Sequence, residues 1–356
     1  MSMKKKYIDI LLIAVAVLLN ACSSDDSGAQ PDPTDNKPVK KEIQVMTYAS
    51  QFAETALSRR AAAPTGFTAY TPDNNKKTIM GFYMLLDEDW ASPKEESISY
   101  FTGKWHAYFN VTPDKTYTVY GYMPKTGDMS SSLTKSTKNA ATLTISNIKP
   151  ITTDDICIIT GVKNTDEELK EGQFSWSWPI TSGDDSYKIY ILMDHLYAAA
   201  QFRLKIDAEY AALRTIKLKT MTLSTNIGSV NATVTLKHND TGASPVFSVE
   251  YTPSGDIDEI IIFNSDEGVA LDKTTPLDIN ACFAPTLSAN LTLVSTYDVY
   301  DSKGNLIREN STATNKLPNL EAIRGQRVQL YLTVNPTYLY VLSEPDLDNP
   351  TITVEN

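Results

Sequence analysis

From about residue 42 onward, apolar and polar positions alternate with a period of two. The runs are five to ten residues long and rich in Val, Ile, Thr, Tyr and Phe. That period sends successive side chains to opposite faces of an extended chain, so each run predicts a β-strand with one face toward a core. Strands are predicted at 43–48, 78–86, 116–123, 141–148, 155–162, 187–193, 216–223, 230–237, 246–251, 259–263, 291–300 and 327–334. Gly, Pro, Asn and Asp cluster between them, at 113–114, 125–128, 182–185, 239–242 and 302–305. Such clusters mark turns. The last, Ser302-Lys303-Gly304-Asn305, joins YDVYD to NLIREN as a hairpin turn. Strands at this spacing predict an all-β chain built of sandwiches, not an α/β sheet. Helical spacing is confined to 52–63 and 208–214, which predict a few short helices.

The N-terminus follows another rule. Lys4, Lys5 and Lys6 precede an unbroken apolar run of ten residues, Ile10 to Leu19. A helix needs about 20 apolar residues to cross a hydrocarbon core, so the run fits the h-region of a removable signal peptide over 1–21. It ends in Leu19-Asn20-Ala21-Cys22, which resembles the lipobox of bacterial lipoproteins, although Asn20 is an unusual occupant of its position. The resemblance makes Cys22 the lipid-bearing first residue of the mature chain, anchored to the outer membrane by its acyl chains. Ser23-Ser24-Asp25-Asp26 follows, resembling a signal for surface exposure. Residues 22–41 are Ser, Asp, Gly, Pro and Asn rich and predict a flexible tether.

Length and charge narrow the classes. The mature chain exceeds what one core usually serves, which predicts two domains. With a junction near 182–185, they span 42–186 and 187–356. The chain holds 43 Asp plus Glu against 32 Lys plus Arg, a net charge of −11. Removing the three signal lysines makes it more acidic. No basic stripe is present, which argues against nucleic acid as a partner. Cys157 and Cys282 sit in apolar strands and read as buried free thiols, with a single disulfide as the alternative; two cysteines make neither a disulfide framework nor a zinc site.

Catalytic chemistry leaves no local mark. His106, His195 and His238 are far apart, and no phosphate loop, GxSxG elbow or HExxH pair occurs. Asp154-Asp155 and Asp184-Asp185 lie beside turn signals and read as solvated turns. No cofactor, metal or enzymatic role is expected. Phe174-Ser175-Trp176-Ser177-Trp178 places three aromatic rings on one strand face. Trp176 and Trp178 are thus candidates for a sugar-stacking platform, against the commoner reading of such a row as sandwich core.

Several segments together resemble the fimbrillin family, the pilin-like lipoproteins of type V pili. The lipobox at Cys22 and its tether come first. The strand EIQVMTYA and the Arg-containing stretch Leu57-Ser58-Arg59-Arg60-Ala61 follow. Next come DHLYAAAQFRL from Asp194, YDVYDSKGNLI from Tyr297, and RGQRVQLYL from Arg324. The resemblance implies two tandem β-sandwich domains of the transthyretin-like Greek-key type. It also implies a stalk or accessory subunit of a surface fimbria, supporting adhesion, whose partners are other pilin subunits and a trypsin-like protease. The protease would cut at Arg59 or Arg60. The first strand, with Ile43, Val45 and Thr47 on one face and Met46 and Tyr48 on the other, would leave, and a C-terminal strand of another subunit would fill its place. Tyr338, Leu339, Tyr340, Val341 and Leu342, within a tail at 337–356, are the expected donor. The competing expectation is that the tail pairs within its own domain. A glycan-binding surface lipoprotein of a nutrient-capture system is the alternative function.

Overall fold

The computed structural model describes residues 37–56, 59–60, 67–137, 140–164, 175–181, 187–225, 228–237, 246–255, 258–285, 291–317, 323–338 and 345–355. The chain is all-β, in the sandwich class, and each of the twelve predicted runs falls on strand. The predicted hairpin is present: Leu291–Asp301 pairs antiparallel with Leu306–Leu317. Gly304 takes φ +86° at its tip. The Asp301 carboxylate accepts the backbone N–H groups of Lys303 and Asn305, each at 2.8 Å.

The helical expectation holds at Ala208–Ala211. There the Asp207 carboxylate accepts the N–H groups of Glu209 and Tyr210 at 2.9 and 3.0 Å, a side-chain N-cap. It fails at 52–63, where Ala53–Ala56 and Arg59–Arg60 are strands. Ala53–Ala56 finds a parallel partner in Gln326–Tyr338, and a sheet partner overrides a weak local helical preference.

Among the described residues the strands form five sheets. The largest runs in the order Phe67–Ala69, Gln44–Ser50, Lys188–His195, Cys157–Lys163, Lys115–Met123, Thr78–Leu85, Glu96–Phe101, Lys104–His106. Ser177–Ile180 also pairs with Lys115–Met123. Cys157–Lys163 is buried along its whole length, which fits a strand covered on both faces. Ser229–Lys237 alternates buried and half-buried positions, the mark of a sheet with one face inward.

A seven-stranded sheet centres on Gln326–Tyr338. On one side this strand is parallel to Ala198–Ile206, from Ala199↔Arg327 to Ile206↔Val334. Two strands share the other side. Ala53–Ala56 faces Gln326 to Val328, and Pro345–Glu355 runs antiparallel against Tyr331 to Tyr338. An N-terminal strand and the C-terminal strand therefore lie along the same edge.

The expected boundary at 186/187 does not separate the sheets. Lys188–His195 lies between Gln44–Ser50 and Cys157–Lys163. Ala140–Ile148 pairs with Ser229–Lys237, and Ile151–Thr152 with Leu277–Phe283. Ser177–Ile180 and Lys188–His195, on either side of the turn signal at 182–185, lie in one sheet. One hydrophobic cluster accordingly runs from Ile43 to Ile352.

Candidate functional site

The segment from Val39 to Arg60 pairs in turn with strands of three sheets. Val39–Glu42 pairs antiparallel with Tyr108–Val111. The Ile43 N–H then donates to the Ala107 carbonyl at 2.8 Å. Gln44–Ser50 lies parallel to Lys188–His195, from Gln44↔Lys188 to Ala49↔Met193. Its last residues also pair with Phe67–Ala69. After Phe52 the chain crosses to the seven-stranded sheet as Ala53–Ala56, and Arg59–Arg60 turns back antiparallel on it.

The side chains follow the predicted alternation. Ile43, Thr47 and Ala49 are 2%, 5% and 4% exposed, and Val45 packs on the same core. Met46 and Tyr48 point the other way, against Tyr190 and Leu192. The Tyr48 and Tyr190 rings stack at 6.4 Å.

One side of this strand is only partly paired. A groove of about 620 Å³ runs beside it, lined by Val45, Thr47, Tyr70, Tyr100, Lys104 and Trp105 among others. The Ile43–Ala107 bond closes one end, and the Tyr70 N–H, donating to the Thr47 carbonyl at 2.8 Å, closes the other. The period of two sends the N–H and C=O of Val45 the same way, into the groove. Among the described residues, full ladder pairing thus holds the strand on its Lys188–His195 side.

Polar links fasten the crossing at Phe52. The Ser50 hydroxyl donates to Asp194 Oδ1 at 2.8 Å. Arg324 Nη1 bonds Asp194 Oδ2 at 3.1 Å and the His195 carbonyl at 2.9 Å. The Ala53 N–H donates to the Gly325 carbonyl, and the Gly325 N–H to the Tyr197 carbonyl, each at 2.9 Å. Two segments singled out in the sequence, at Asp194 and at Arg324, thus meet under the N-terminal segment. The Phe52 ring stacks on His195, centroids 3.7 Å apart.

Beneath Phe52 lies a cluster that sequence reading passed over. His195 Nδ1 is 2.6 Å from Asp155 Oδ2, and the Cys157 thiol donates to the same oxygen at 2.9 Å. Burial first, and then the Asp155 carboxylate, push the Cys157 thiol well up, so it stays protonated at neutral pH. Burial, before any neighbouring charge, also pushes the Tyr70 hydroxyl up. Asp154 is a turn carboxylate as expected, paired with Lys76 at 2.6 Å. Asp155 is not, because its side chain turns inward to His195. The usable signal was the register Cys157↔His195, which a linear sequence does not display.

The other predicted residues fall as follows. Cys22 lies outside the described residues, as do Leu339, Tyr340, Val341 and Leu342. Arg59 and Arg60 form a two-residue strand at the end of the seven-stranded sheet. Tyr338 ends Gln326–Tyr338, opposite Pro345. The tail beyond is not free: Pro345–Glu355 pairs with its own chain, and Asn315 Nδ2 donates to the Ile352 carbonyl at 2.7 Å. Ile352 is buried, so apolar burial and a strand ladder favour pairing in cis. Trp176 and Trp178 are 3% and 0% exposed. Trp176 stacks on Tyr120 at 5.2 Å, and Trp178 Nε1 donates to the Lys188 carbonyl at 3.0 Å. Rings with no free face cannot stack on a sugar, which corrects the glycan-contact expectation. Cys157 and Cys282 are buried free thiols, as expected.

No protein-family model matches the chain, and no curated protein matches it. Solved structures give distant likenesses. A fimbrial protein from Bacteroides vulgatus is 15% identical, with a TM-score of 0.38, over 88% of this chain and 98% of that one. The fimbrial anchor protein Mfa2 from Porphyromonas gingivalis is 10% identical, with a TM-score of 0.23, over 87% of this chain and 97% of that one. At such values the functional reading rests on the chain's own features.

Proposed function

We propose that the chain is a structural subunit of a cell-surface fimbria that supports adhesion. It is exported as a lipoprotein anchored to the outer membrane through Cys22. A trypsin-like protease cuts it at Arg59 or Arg60, and it joins other pilin subunits by strand exchange. One observation carries this reading. The segment from Val39 to Arg60 contributes strands to three sheets and ends in two arginines at a sheet end. A cut after Arg60 detaches that whole segment from the body.

Its departure would bare the edge of Lys188–His195 and the edge of Gln326–Tyr338 at 326–328. It would also uncover the core beneath Ile43, Thr47 and Ala49. Unpaired strand edges over apolar surface recruit another strand. The donor we assign is the C-terminal run, which must first leave its cis partner. That makes assembly an exchange of one ladder for another, and the difference between the two sets the equilibrium.

Deleting residues 337–356 tests this reading. After Arg-specific cleavage, the full chain is expected to form polymers by analytical ultracentrifugation. The truncated chain, shown by circular dichroism to be folded, is expected to stay monomeric. Polymers from the folded truncated chain would remove the C-terminal strand as donor.

A further inference from the structure

Asp155, Cys157 and His195 place a carboxylate oxygen, a sulfur and an imidazole nitrogen within 4.8 Å of one another. They come from two paired strands. Asp155 lies two residues before Cys157, which opens Cys157–Lys163, and His195 closes Lys188–His195 directly opposite Cys157. We propose that this cluster is a zinc site, with Asp155, Cys157 Sγ and His195 Nδ1 as ligands and water as the fourth.

The donor set is the first reason. One thiolate, one imidazole and one carboxylate are borderline-soft to hard ligands that suit a four-coordinate d¹⁰ cation and suit calcium or magnesium poorly. The spacing is the second. The three atoms stand 2.6, 2.9 and 3.9 Å apart. Bonds of about 2.0–2.3 Å at tetrahedral angles call for spans of roughly 3.3–3.7 Å. A small rotation of the Asp155 carboxylate supplies the difference.

A leftover polar atom is the third reason. Asp155 Oδ1 is buried with no hydrogen-bond partner among the described residues. A purely hydrogen-bonded cluster gives it no role, whereas with a cation bound it can share the ion or bond its water.

Charge is the fourth reason. Zinc with one carboxylate, one thiolate and a neutral imidazole sums to zero, so the complex avoids the cost of burying a net charge. Binding releases the thiol proton to solvent, and the cation supplies the charge that keeps the thiolate. The bound ion would tie two adjacent strands beneath Phe52 and stabilise the folded chain by mass action.

Cobalt(II) is the probe, added to the metal-free chain from residue 23 onward. A thiolate-to-cobalt charge-transfer band is expected at one equivalent, displaced by zinc. It should vanish in Cys157→Ser, persist in Cys282→Ser, and require about tenfold or more cobalt in Asp155→Asn. No band in the native chain, or a band that survives Cys157→Ser, would leave a hydrogen-bonded triad and overturn the site. X-ray absorption on the zinc-loaded native chain decides even where a variant fails to fold. One sulfur neighbour at about 2.3 Å supports the assignment, and a shell of oxygen and nitrogen alone contradicts it.

Discussion

The Phe52 ring lies on the His195 ring at 3.7 Å between centroids and 16° from parallel. This contact joins the segment assigned to departure to the body that would remain. Phe52 also has the Arg327 guanidinium on it, 5.4 Å from its centroid. It stands between Gln44–Ser50 and Ala53–Ala56, so it helps set where the chain crosses from one sheet to the next.

Replacing Phe52 with Ala should therefore cost stability without disturbing the fold. An aromatic pair contributes about 0.5–1.5 kcal/mol beyond its buried area. With half-burial, the total loss should be about 2 kcal/mol. A lower urea midpoint with an unchanged slope would show it, and Phe52→Leu should restore part of the loss. A midpoint equal to the parent's would mean the stack contributes nothing.

Trp178 is the larger test of the core. Trp178→Ala removes a fully buried ring and its hydrogen bond to the Lys188 carbonyl, and should cost about 3–5 kcal/mol. Calorimetry should show a large drop in Tm or a chain that does not fold. A folded, equally stable variant would contradict the buried placement.

Cys157 and Cys282 should be silent toward thiol reagents in the native chain. Burial, before any other cause, pushes both thiols up, and the thiolate is the reactive form. In the metal-free chain from residue 23 onward, modification by a disulfide reagent at pH 8 should follow unfolding. Rapid reaction of either thiol under native conditions would count against the buried cluster.

Acid stability has a defined window at Asp272. The Thr274 hydroxyl and the N–H groups of Thr275 and Thr274 hold its carboxyl down to about 2, from the usual 3.8. A carboxyl depressed in the folded state contributes stability that is complete above its unfolded pKa and lost as pH falls through the folded one. The chain should thus weaken between about pH 4 and pH 2, and Asp272→Asn should flatten part of that slope. Asn305 and Lys303 act on Asp301 in the same direction. Identical acid profiles for parent and variant would contradict this.

The long strands were legible because each carries its own signal. Arg214–Thr225 and Leu291–Asp301 are eleven residues or longer and carry several alternating buried positions, and the turn residues after Leu291–Asp301 agree with its hairpin. Ala53–Ala56 was not legible: four residues cannot display a period, and its neighbours share small, helix-compatible side chains. Sheet order was equally hidden. That Lys188–His195 sits beside Gln44–Ser50 depends on a pairing 144 residues apart. A gap of 40 residues hid the cluster too, since Asp155 reads as half of an exposed acidic turn until His195 is placed opposite Cys157. The Trp176 and Trp178 row was visible as a feature, but pattern alone could not say which face of its strand was covered.

On the proposed function, one cut at Arg59 or Arg60 converts a self-contained chain into a polymerising one. The purified chain from residue 23 onward, treated briefly with an Arg-specific protease, should yield a new N-terminus at residue 60 or 61. It should then move from monomer to higher-order species on size-exclusion chromatography. Cleavage first at another arginine, or a correctly cut chain that stays monomeric, would contradict the account.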